Sequence, residues 1–293
     1  VWDALEDPDT RVIAQIAPAV RVAAGDAFGL PKGKSSMGKV VSALHQMGFD
    51  EVYDTGFSAD LTVMEESAEF LNRVKNGGKL PLMTSCCPAW SMMAKKLFPE
   101  QAKCISMALT PMVLTARLIK QQNPDCKIVF VGPCAAKKLE ASRKTIRSYV
   151  DFVLTFEELQ GMFDAKGVDF KELPDGEPLM QASADGRGFA SSGGVASAVV
   201  NAIRRMEPNR EVKVVSAEGL ANCKKMLQLA KAGKYNGYLL EGMACPGGCI
   251  AGAGTIQPIK KTAASLEQMK KQAPFEESMD TVYDAMLPIL EKL

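Results

Sequence analysis

The segment Lys127-Ile-Val-Phe-Val-Gly-Pro-Cys134 indicates how this 293-residue chain is expected to fold. Its β-branched, apolar run stops at a Gly-Pro breaker, and a cysteine follows immediately. Similar β-rich runs recur at residues 11–16, 51–54, 80–84, 212–217 and 235–240. Stretches of helical periodicity separate these runs, at residues 38–47, 61–75, 89–97, 111–122, 155–166, 194–206, 221–232 and 276–292. The alternation predicts an α/β fold in which mainly parallel, twisted sheets are flanked by helices.

Residues 173–188 are the best candidate for a loop between two lobes. They are rich in Gly, Pro and Asp, which favour turns and irregular backbone. We therefore expect residues 1–293 to form one domain of two lobes. Because the first residue is Val1 rather than Met, we also expect further residues upstream.

Composition excludes several classes of protein. Lys and Arg number 35 and Asp and Glu number 34, so the chain lacks the basic surface that nucleic-acid binding needs. No apolar run reaches the ~18 residues of a membrane span, and we expect no signal peptide, since no charged-then-apolar segment occurs at the start of these residues. These features predict a cytoplasmic protein.

Eight cysteines and one histidine direct attention to thiolate chemistry. In a reducing cytoplasm, clustered cysteines more often bind metals or act as nucleophiles than form disulfides. The single histidine, His45, argues against His-rich metal sites and is expected to be an ordinary helix residue. Cys104, Cys126 and Cys223 lie in no motif, so we expect ordinary buried thiols.

The remaining cysteines lie in three loops that each follow an apolar or β-rich run, at residues 84–88, 132–134 and 245–249. Ligands of open α/β sheets bind beyond the carboxyl ends of strands, so the loops could meet in one crevice. Cys87, Cys134, Cys245 and Cys249 would match the four-cysteine ligation of a cubane cluster. Structural zinc would more often show paired CxxC knuckles. The third loop alone would also fit a redox pair or a buried pair of cysteines.

Three segments also carry a family signature: Thr84-Ser-Cys-Cys-Pro-Ala-Trp90, Gly132-Pro-Cys-Ala-Ala-Lys-Lys-Leu-Glu140 and Met243-Ala-Cys-Pro-Gly-Gly-Cys249. Together they resemble the three H-cluster motifs of [FeFe]-hydrogenases. Further segments are similar to the same family, at residues 17–21, 48–55, 59–62 and 189–195. The resemblance spans essentially the whole chain. It implies an iron-only, ferredoxin-linked hydrogenase that interconverts protons, electrons and H2, with its cluster in the cleft between the lobes.

The resemblance also implies a cofactor and its ligands. Cys87, Cys134, Cys245 and Cys249 would hold a [4Fe–4S] cluster. Cys249 would also bridge this cluster to a diiron subsite carrying CO, cyanide and azadithiolate. Cys86 would exchange protons with that subsite, since a thiol titrates near enough to working pH. Lys137 would hydrogen-bond a cyanide.

Further residues are assigned by the same resemblance. The remaining proton-relay residues would be Glu66, Glu69, Ser106 and Arg73. The residues shaping the pocket would be Ala17, Pro18, Pro111, Phe189 and Met243. By spacing alone, Glu66, Glu69 and Arg73 would be better explained as an ordinary solvated helix face with a Glu69–Arg73 pair; the resemblance, not the spacing, favours the relay.

The chain departs from the best-known members of this family. Gly132 stands where they have Met, Met112 where they often have a polar residue, and Gly242 where they have Val. These differences leave the catalytic bias and the oxygen response open, and they suggest a less studied subgroup in which Cys86 could also cap the open iron.

Partners follow from the same resemblance. Electrons would come from ferredoxin or from accessory iron–sulfur domains upstream of Val1, and maturation proteins would supply the diiron unit. Two alternatives remain. One is an iron–sulfur assembly protein of the prelamin-recognition-like family, which shares the cysteine loops without the diiron chemistry. The other is an H2-sensing hydrogenase, many of which replace the relay cysteine that Cys86 supplies here.

Overall fold

A computed structural model describes residues 1–22, 37–77 and 81–281 of the chain. Within these ranges every β-strand lies in one of two sheets. The strands are β1 (Val12–Ile16), β2 (Glu51–Asp54), β3 (Leu82–Met83), β4 (Lys127–Val131), β5 (Phe152–Leu154), β6 (Lys213–Glu218) and β7 (Tyr238–Met243).

Both sheets are parallel throughout. The first has the order β2-β1-β4-β5 and the second has the order β3-β7-β6. In the first sheet Ile16 pairs with both Asp54 and Val131, so three strands end at one level. The loops that follow these strands therefore emerge side by side. The predicted α/β fold with parallel sheets flanked by helices is confirmed.

Helices cover the sheets and connect their strands. They are α1 (Trp2–Glu6), α2 (Met37–Met47), α3 (Thr55–Lys75), α4 (Pro88–Leu97), α5 (Pro111–Gln122), α6 (Ala136–Ser142), α7 (Phe156–Lys166), α8 (Ala184–Gly188), α9 (Gly194–Met206), α10 (Leu220–Lys231) and α11 (Ile259–Lys271). Short 3-10 turns occupy Pro99–Cys104, Cys249–Ala251 and Ser278–Asp280. In the described part of the chain, no helix has the length and apolar character that crossing a membrane requires.

Apolar packing supports each sheet separately. One large cluster surrounds the first sheet, and every residue of β1 is buried within it or against it. Such continuous burial is typical of a central parallel strand, which is covered on both faces. Two further clusters pack on opposite sides of β7, around Leu239 and around Leu240 and Trp90. Each cluster removes apolar surface from water, which is the main force that stabilises the two layers.

Several predicted boundaries were wrong for identifiable reasons. The helix predicted at 61–75 begins at Thr55, because Asp54 caps it by accepting a hydrogen bond from Gly56 N at 2.8 Å. The strand predicted at 235–240 is Tyr238–Met243. Of the strand predicted at 80–84, only Leu82–Met83 pairs, and Leu80 lies outside the described residues. The three-residue strand β5 was missed.

Two loop and helix predictions also need correction. The loop expected over 173–188 ends in the short helix α8, whose start is capped by the Ser183 hydroxyl accepting from Gly186 N. The helix expected over 276–292 falls mostly on residues 282–293, outside the described residues. Its described part contains only the turn Ser278–Asp280.

Candidate metal centre

A cavity of about 320 Å³ lies where the carboxyl ends of strands from both sheets meet. Its wall includes Ala17 after β1, Cys134 beyond β4, Cys86 beyond β3 and Met243 at the end of β7. This is the position in which open parallel sheets bind their ligands. The expected crevice is therefore present, and strands of both sheets contribute to it.

Five cysteines line this cavity: Cys86, Cys87, Cys134, Cys245 and Cys249. All five are half-buried free thiols. They lie close enough to interact electrostatically, since negative charge on Cys134, Cys87 and Cys245 contributes to raising the pKa of the Cys249 thiol. The structure thus brings together all four predicted cluster ligands and the predicted free thiol.

The first cysteine loop is held by a buried tryptophan. Trp90 donates a hydrogen bond from Nε1 to Thr84 O at 3.2 Å, and its ring lies against the Gly242 backbone. A Cβ added at Gly242 would lie 2.1 Å from the Trp90 ring, so glycine is required for this contact. Thr84 N also donates to Leu240 O at 3.0 Å. Cys87 then stands at the start of helix α4, with Pro88 in the first turn.

Glycines fix the second and third cysteine loops to one another. A Cβ at Gly252 would lie 2.3 Å from Pro133 O, and Gly254 N donates to that same oxygen at 2.9 Å. Gly248 has a φ of 90°, a backbone conformation that favours glycine. A Cβ there would also clash with the Ser191 and Ser192 backbone. Through the contacts of Gly252 and Gly254 with Pro133 O, the loop carrying Cys245 and Cys249 packs closely against the loop carrying Cys134.

A buried ammonium faces these thiols. Lys137 lines the cavity, and its Nζ lies 2.6 Å from Glu140 Oε2 and 3.4 Å from Cys86 O. Burial opposes its charge, but the Glu140 carboxylate and negative charge on nearby cysteines raise the pKa of Lys137 above its ordinary value. Thr110 donates to the other Glu140 oxygen at 2.9 Å. Lys137 is thus a fixed positive charge at the cavity wall.

Four of these thiols resist ionisation in this environment, namely Cys86, Cys134, Cys245 and Cys249. Burial, followed by the charge of Glu66 and of neighbouring thiolates, raises the pKa of Cys86 well above its ordinary value. Burial also raises the pKa of Cys134, Cys245 and Cys249. Several thiolates can coexist here only if positive charge is added, which a metal centre supplies when it binds deprotonated ligands.

The donor set fits a cluster better than a single ion. Over the described ranges, no group of three or more His, Cys, Asp or Glu side chains is placed to hold one metal ion. A cubane spreads its ligands more widely, because each thiolate binds a different iron. Soft thiolates without imidazole also favour iron–sulfur chemistry. The donor set, four thiolates without imidazole, therefore suits a cubane.

The predicted relay residues fall into two groups. Glu66 is completely buried, and its Oε1 accepts hydrogen bonds from Ser85 N at 2.9 Å and Ser85 Oγ at 3.1 Å. Burial raises its pKa to about 7 despite the Ser85 hydrogen bonds. Its charge contributes to raising the pKa of Cys86, so Glu66 lies near that thiol.

The second group comprises Glu69, Ser106 and Arg73. Glu69 Oε2 accepts from Ser106 Oγ at 2.7 Å and from Met107 N at 2.9 Å. Glu69 Oε1 accepts from Arg73, which also donates to Cys104 O at 3.3 Å. Glu69 forms no hydrogen bond with Glu66 among the described contacts.

The other predicted residues are placed as follows. Ala17, Pro18, Pro111, Phe189 and Met243 all line the cavity. His45 lies in helix α2, with Nδ1 2.8 Å from Phe49 O, as expected of a helix residue. The expected burial of the unassigned thiols is confirmed: Cys104, Cys126 and Cys223 are at most 6% exposed.

The sequence analysis assigned no role to three residues of the site, Ser85, Thr110 and Glu140. Glu140 follows Lys137 by three positions on helix α6, a spacing that places both on one helix face. That spacing could have identified the ion pair. The contacts of Ser85 and Thr110 join distant segments and leave no local signal.

Comparison with known proteins is consistent with this geometry. Residues 10–253 match the family described as the iron only hydrogenase large subunit, C-terminal domain. The chain is 36% identical to the periplasmic [Fe] hydrogenase large subunit of Nitratidesulfovibrio vulgaris, over 87% of this chain and 70% of that protein. It is 32% identical to iron hydrogenase 1 of Clostridium pasteurianum, over 91% of this chain and 55% of that protein. The chain thus spans little more than half of the second relative.

Two further similarities bear on function. A solved [FeFe]-hydrogenase variant from Chlamydomonas reinhardtii superposes with a TM-score of 0.80 at 27% identity, covering 98% of this chain and 92% of that one. A protein named cytosolic iron-sulfur assembly component 3, from Pongo abelii, is 29% identical over 88% of this chain and 64% of that protein. The similar proteins therefore include both hydrogenases and assembly factors.

Proposed function

Because the chain belongs to the iron-only hydrogenase large-subunit family, in its C-terminal domain, we propose that it catalyses 2H⁺ + 2e⁻ ⇌ H2. The observation that carries this proposal is the meeting of four cysteines from three loops in one cavity, with a fifth cysteine beside them. Four thiolates suffice for a cubane, which leaves Cys86 for proton exchange.

Cys87, Cys134, Cys245 and Cys249 would hold a [4Fe–4S] cluster, and Cys249 would join it to a diiron subsite with CO, cyanide and azadithiolate. When bound, this group supplies the redox-active iron at which H2 is formed or split. Lys137 presents a buried ammonium to the cavity, and it would donate a hydrogen bond to an anionic cyanide.

The cavity wall supports this chemistry in a second way. Ala17, Pro18, Pro111, Phe189 and Met243 contribute apolar surface beside the thiols. An apolar wall excludes bulk water, which strengthens the hydrogen bond from Lys137 and confines protons to specific side chains. The residues present therefore suit a bulky, partly anionic cofactor.

Proton exchange would begin at Cys86 Sγ. Glu66 is the acid proposed to exchange protons with it, because its charge raises the pKa of Cys86 more than that of Glu241 does. Its own pKa, raised by burial to about 7, is well matched to giving and taking protons near neutral pH. Ser106, Glu69 and Arg73 would form the outer end of the route, although no hydrogen bond among the described residues joins this group to Glu66.

A second candidate is an iron–sulfur assembly protein, since relatives named cytosolic assembly factors match over most of the chain. Such a protein would use the four cluster cysteines alone. Lys137, which is paired with the buried Glu140, and the free Cys86 both line the cavity, and holding a cubane on four cysteines requires neither of them. These residues favour the hydrogenase over the assembly protein, and Cys86 also argues against an H2 sensor.

The electron partner is proposed from the chemistry of the reaction. Two electrons must reach a cluster held by Cys245, whose loop includes the exposed Pro246. A ferredoxin or an accessory iron–sulfur domain would supply them, and maturation proteins would supply the diiron unit. Cytoplasmic location remains a prediction, because the relatives include a protein named periplasmic and others named cytosolic.

The test is H2 evolution from reduced viologen after the cubane-loaded chain is reconstituted with a synthetic diiron complex. We expect H2 from the wild type and from C126A, a buried thiol outside the cavity. We expect none from C86A, although its cubane absorbance should be unchanged. An assembly protein would carry the cubane and produce no gas in any variant.

A further inference from the structure

A second pocket, which we name the outer pocket, lies beside the first cysteine loop. It has a volume of about 250 Å³, and its wall includes Ser85, Ser106, Met107 and Glu140. Met107 is 84% exposed, so the outer pocket opens to solvent. Lys95 and Arg143 add charge to the same wall. Water can therefore approach Ser85 from outside, although Ser85 itself is only 8% exposed.

The Ser85 hydroxyl has two alternative acceptors. Its Oγ lies 3.1 Å from Glu66 Oε1 and 3.0 Å from Ala108 O. A hydroxyl carries one proton, so it donates to only one of them at a time. Rotation about the Cβ–Oγ bond switches the donor between the two. A lone pair of Oγ then remains available to a proton donor in the outer pocket.

Glu66 depends on Ser85 for its hydrogen bonds. Among the described residues, the backbone N and the hydroxyl of Ser85 are its only hydrogen-bond partners. No hydrogen bond described here joins Glu66 to Ser106 or Glu69. The remaining carboxylate oxygen, Oε2, is buried without a protein partner. Ser85 therefore carries the first hydroxyl to which a proton on Glu66 can pass in the direction of solvent.

The carboxylate of Glu69 is less suited to exchanging a proton directly with Glu66. Both Glu69 oxygens are engaged, one by Arg73 and the other by Ser106 Oγ and Met107 N. The Ser106 hydroxyl also accepts from Ala108 N at 3.1 Å. Both oxygens of Glu69 are therefore already occupied by donors, and none of these donors comes from Glu66.

We propose that Ser85 is the proton-transfer hydroxyl between Glu66 and the water of the outer pocket. The proposal rests on the hydrogenase function proposed above. For inward transfer, a hydronium ion in the outer pocket gives a proton to Ser85 Oγ and becomes water, while the original Oγ–H bond breaks and its proton passes to the Glu66 carboxylate at Oε1, which becomes neutral. One proton moves inward, Ser85 returns to its neutral form, and no electron is transferred. Outward transfer reverses each step.

The first test uses the chain without any cluster. Infrared spectra at low pH should show the carbonyl stretch of protonated Glu66, assigned by its disappearance in E66Q. S85A should shift this band to higher frequency, because a hydrogen bond to the carboxyl is lost. S91A is the matched control, since Ser91 lines the same pocket but its hydroxyl donates to Pro88 O. An unshifted band in S85A would overturn the contact on which the proposal stands.

The second test measures H2 evolution by the reconstituted enzyme. S85A should lose at least about tenfold in rate, S85T should recover most of it by restoring the hydroxyl, and S91A should match the wild type. A loss of less than threefold in S85A, or a failure of S85T to recover, would overturn the role of Ser85 while leaving hydrogenase function intact. An inactive wild type with both clusters loaded would instead refute the proposed function, and the Ser85 proposal with it.

Discussion

Replacing Lys137 by Met would test the charge balance of the cavity wall. The substitution keeps most of the side-chain volume but removes the ammonium 2.6 Å from Glu140 Oε2. Glu140 is only 5% exposed and would become a buried carboxylate with Thr110 as its remaining described partner. Breaking a buried ion pair in this way costs about 3–5 kcal/mol. We expect a loss of that size in the unfolding free energy of the cluster-free chain at pH 7.

The neighbouring residue supplies a matched control. Lys138 lies at the same distance, 2.6 Å, from Glu158, but both side chains are 44% exposed. An exposed pair contributes only about 0–1 kcal/mol, so K138M should have little effect. The double variant K137M/E140Q should recover part of the stability lost in K137M, because it leaves no unpaired charge. Guanidinium unfolding measures the free energy of unfolding of K137M, K138M and K137M/E140Q relative to the wild type. Equal losses in K137M and K138M, or no recovery in the double variant, would refute the reasoning.

Three further predictions concern packing, pH and metal binding. G242V should destabilise the chain by at least the usual cost of overpacking, about 1–3 kcal/mol, because a Cβ at this position would lie 2.1 Å from the Trp90 ring. The same substitution should alter Trp90 fluorescence. An unchanged melting temperature of G242V would contradict this prediction. Burial raises the pKa of Asp60 to about 7 from an ordinary 3.8, so its contribution to stability falls as pH rises through that window. The stability of D60N relative to the wild type should therefore rise by about 2–3 kcal/mol between pH 5 and 8, and a flat difference in urea unfolding would count against it. C134A should lose most of the cubane iron and its visible absorbance, whereas C126A should keep both; full iron content in C134A would remove Cys134 from the ligand set.

Much of the fold could be predicted because its strands end at strong local signals. Strand Lys127–Val131 matches its prediction, since an apolar run is bounded by Gly132 and Pro133. The start of helix α3 could not be predicted, because Asp54 ends one strand and caps the next helix at once. Strand β5 has three residues, too few for an alternating pattern to be recognised.

Part of the candidate site, like part of the fold, could be predicted from the sequence. The family signature pointed to five cysteines and Lys137, all of which line the cavity, because short motifs around cysteines leave a pattern in the sequence. Hydrogen bonds between distant segments leave none. Ser85 meets Glu66 across 19 residues, and Thr110 meets Glu140 across 30. These contacts arise only when helix α3, the first cysteine loop and helix α6 pack around the cavity.

The most direct test of the central claim is an infrared spectrum of the chain produced together with the diiron maturation proteins. If the four thiolates hold a cubane joined to a diiron subsite beside Lys137, bands of iron-bound CO and cyanide will be present, and the cyanide bands will move in K137M. A spectrum without such bands, from protein with a full complement of cubane iron, would contradict the account and leave an iron–sulfur assembly protein in its place.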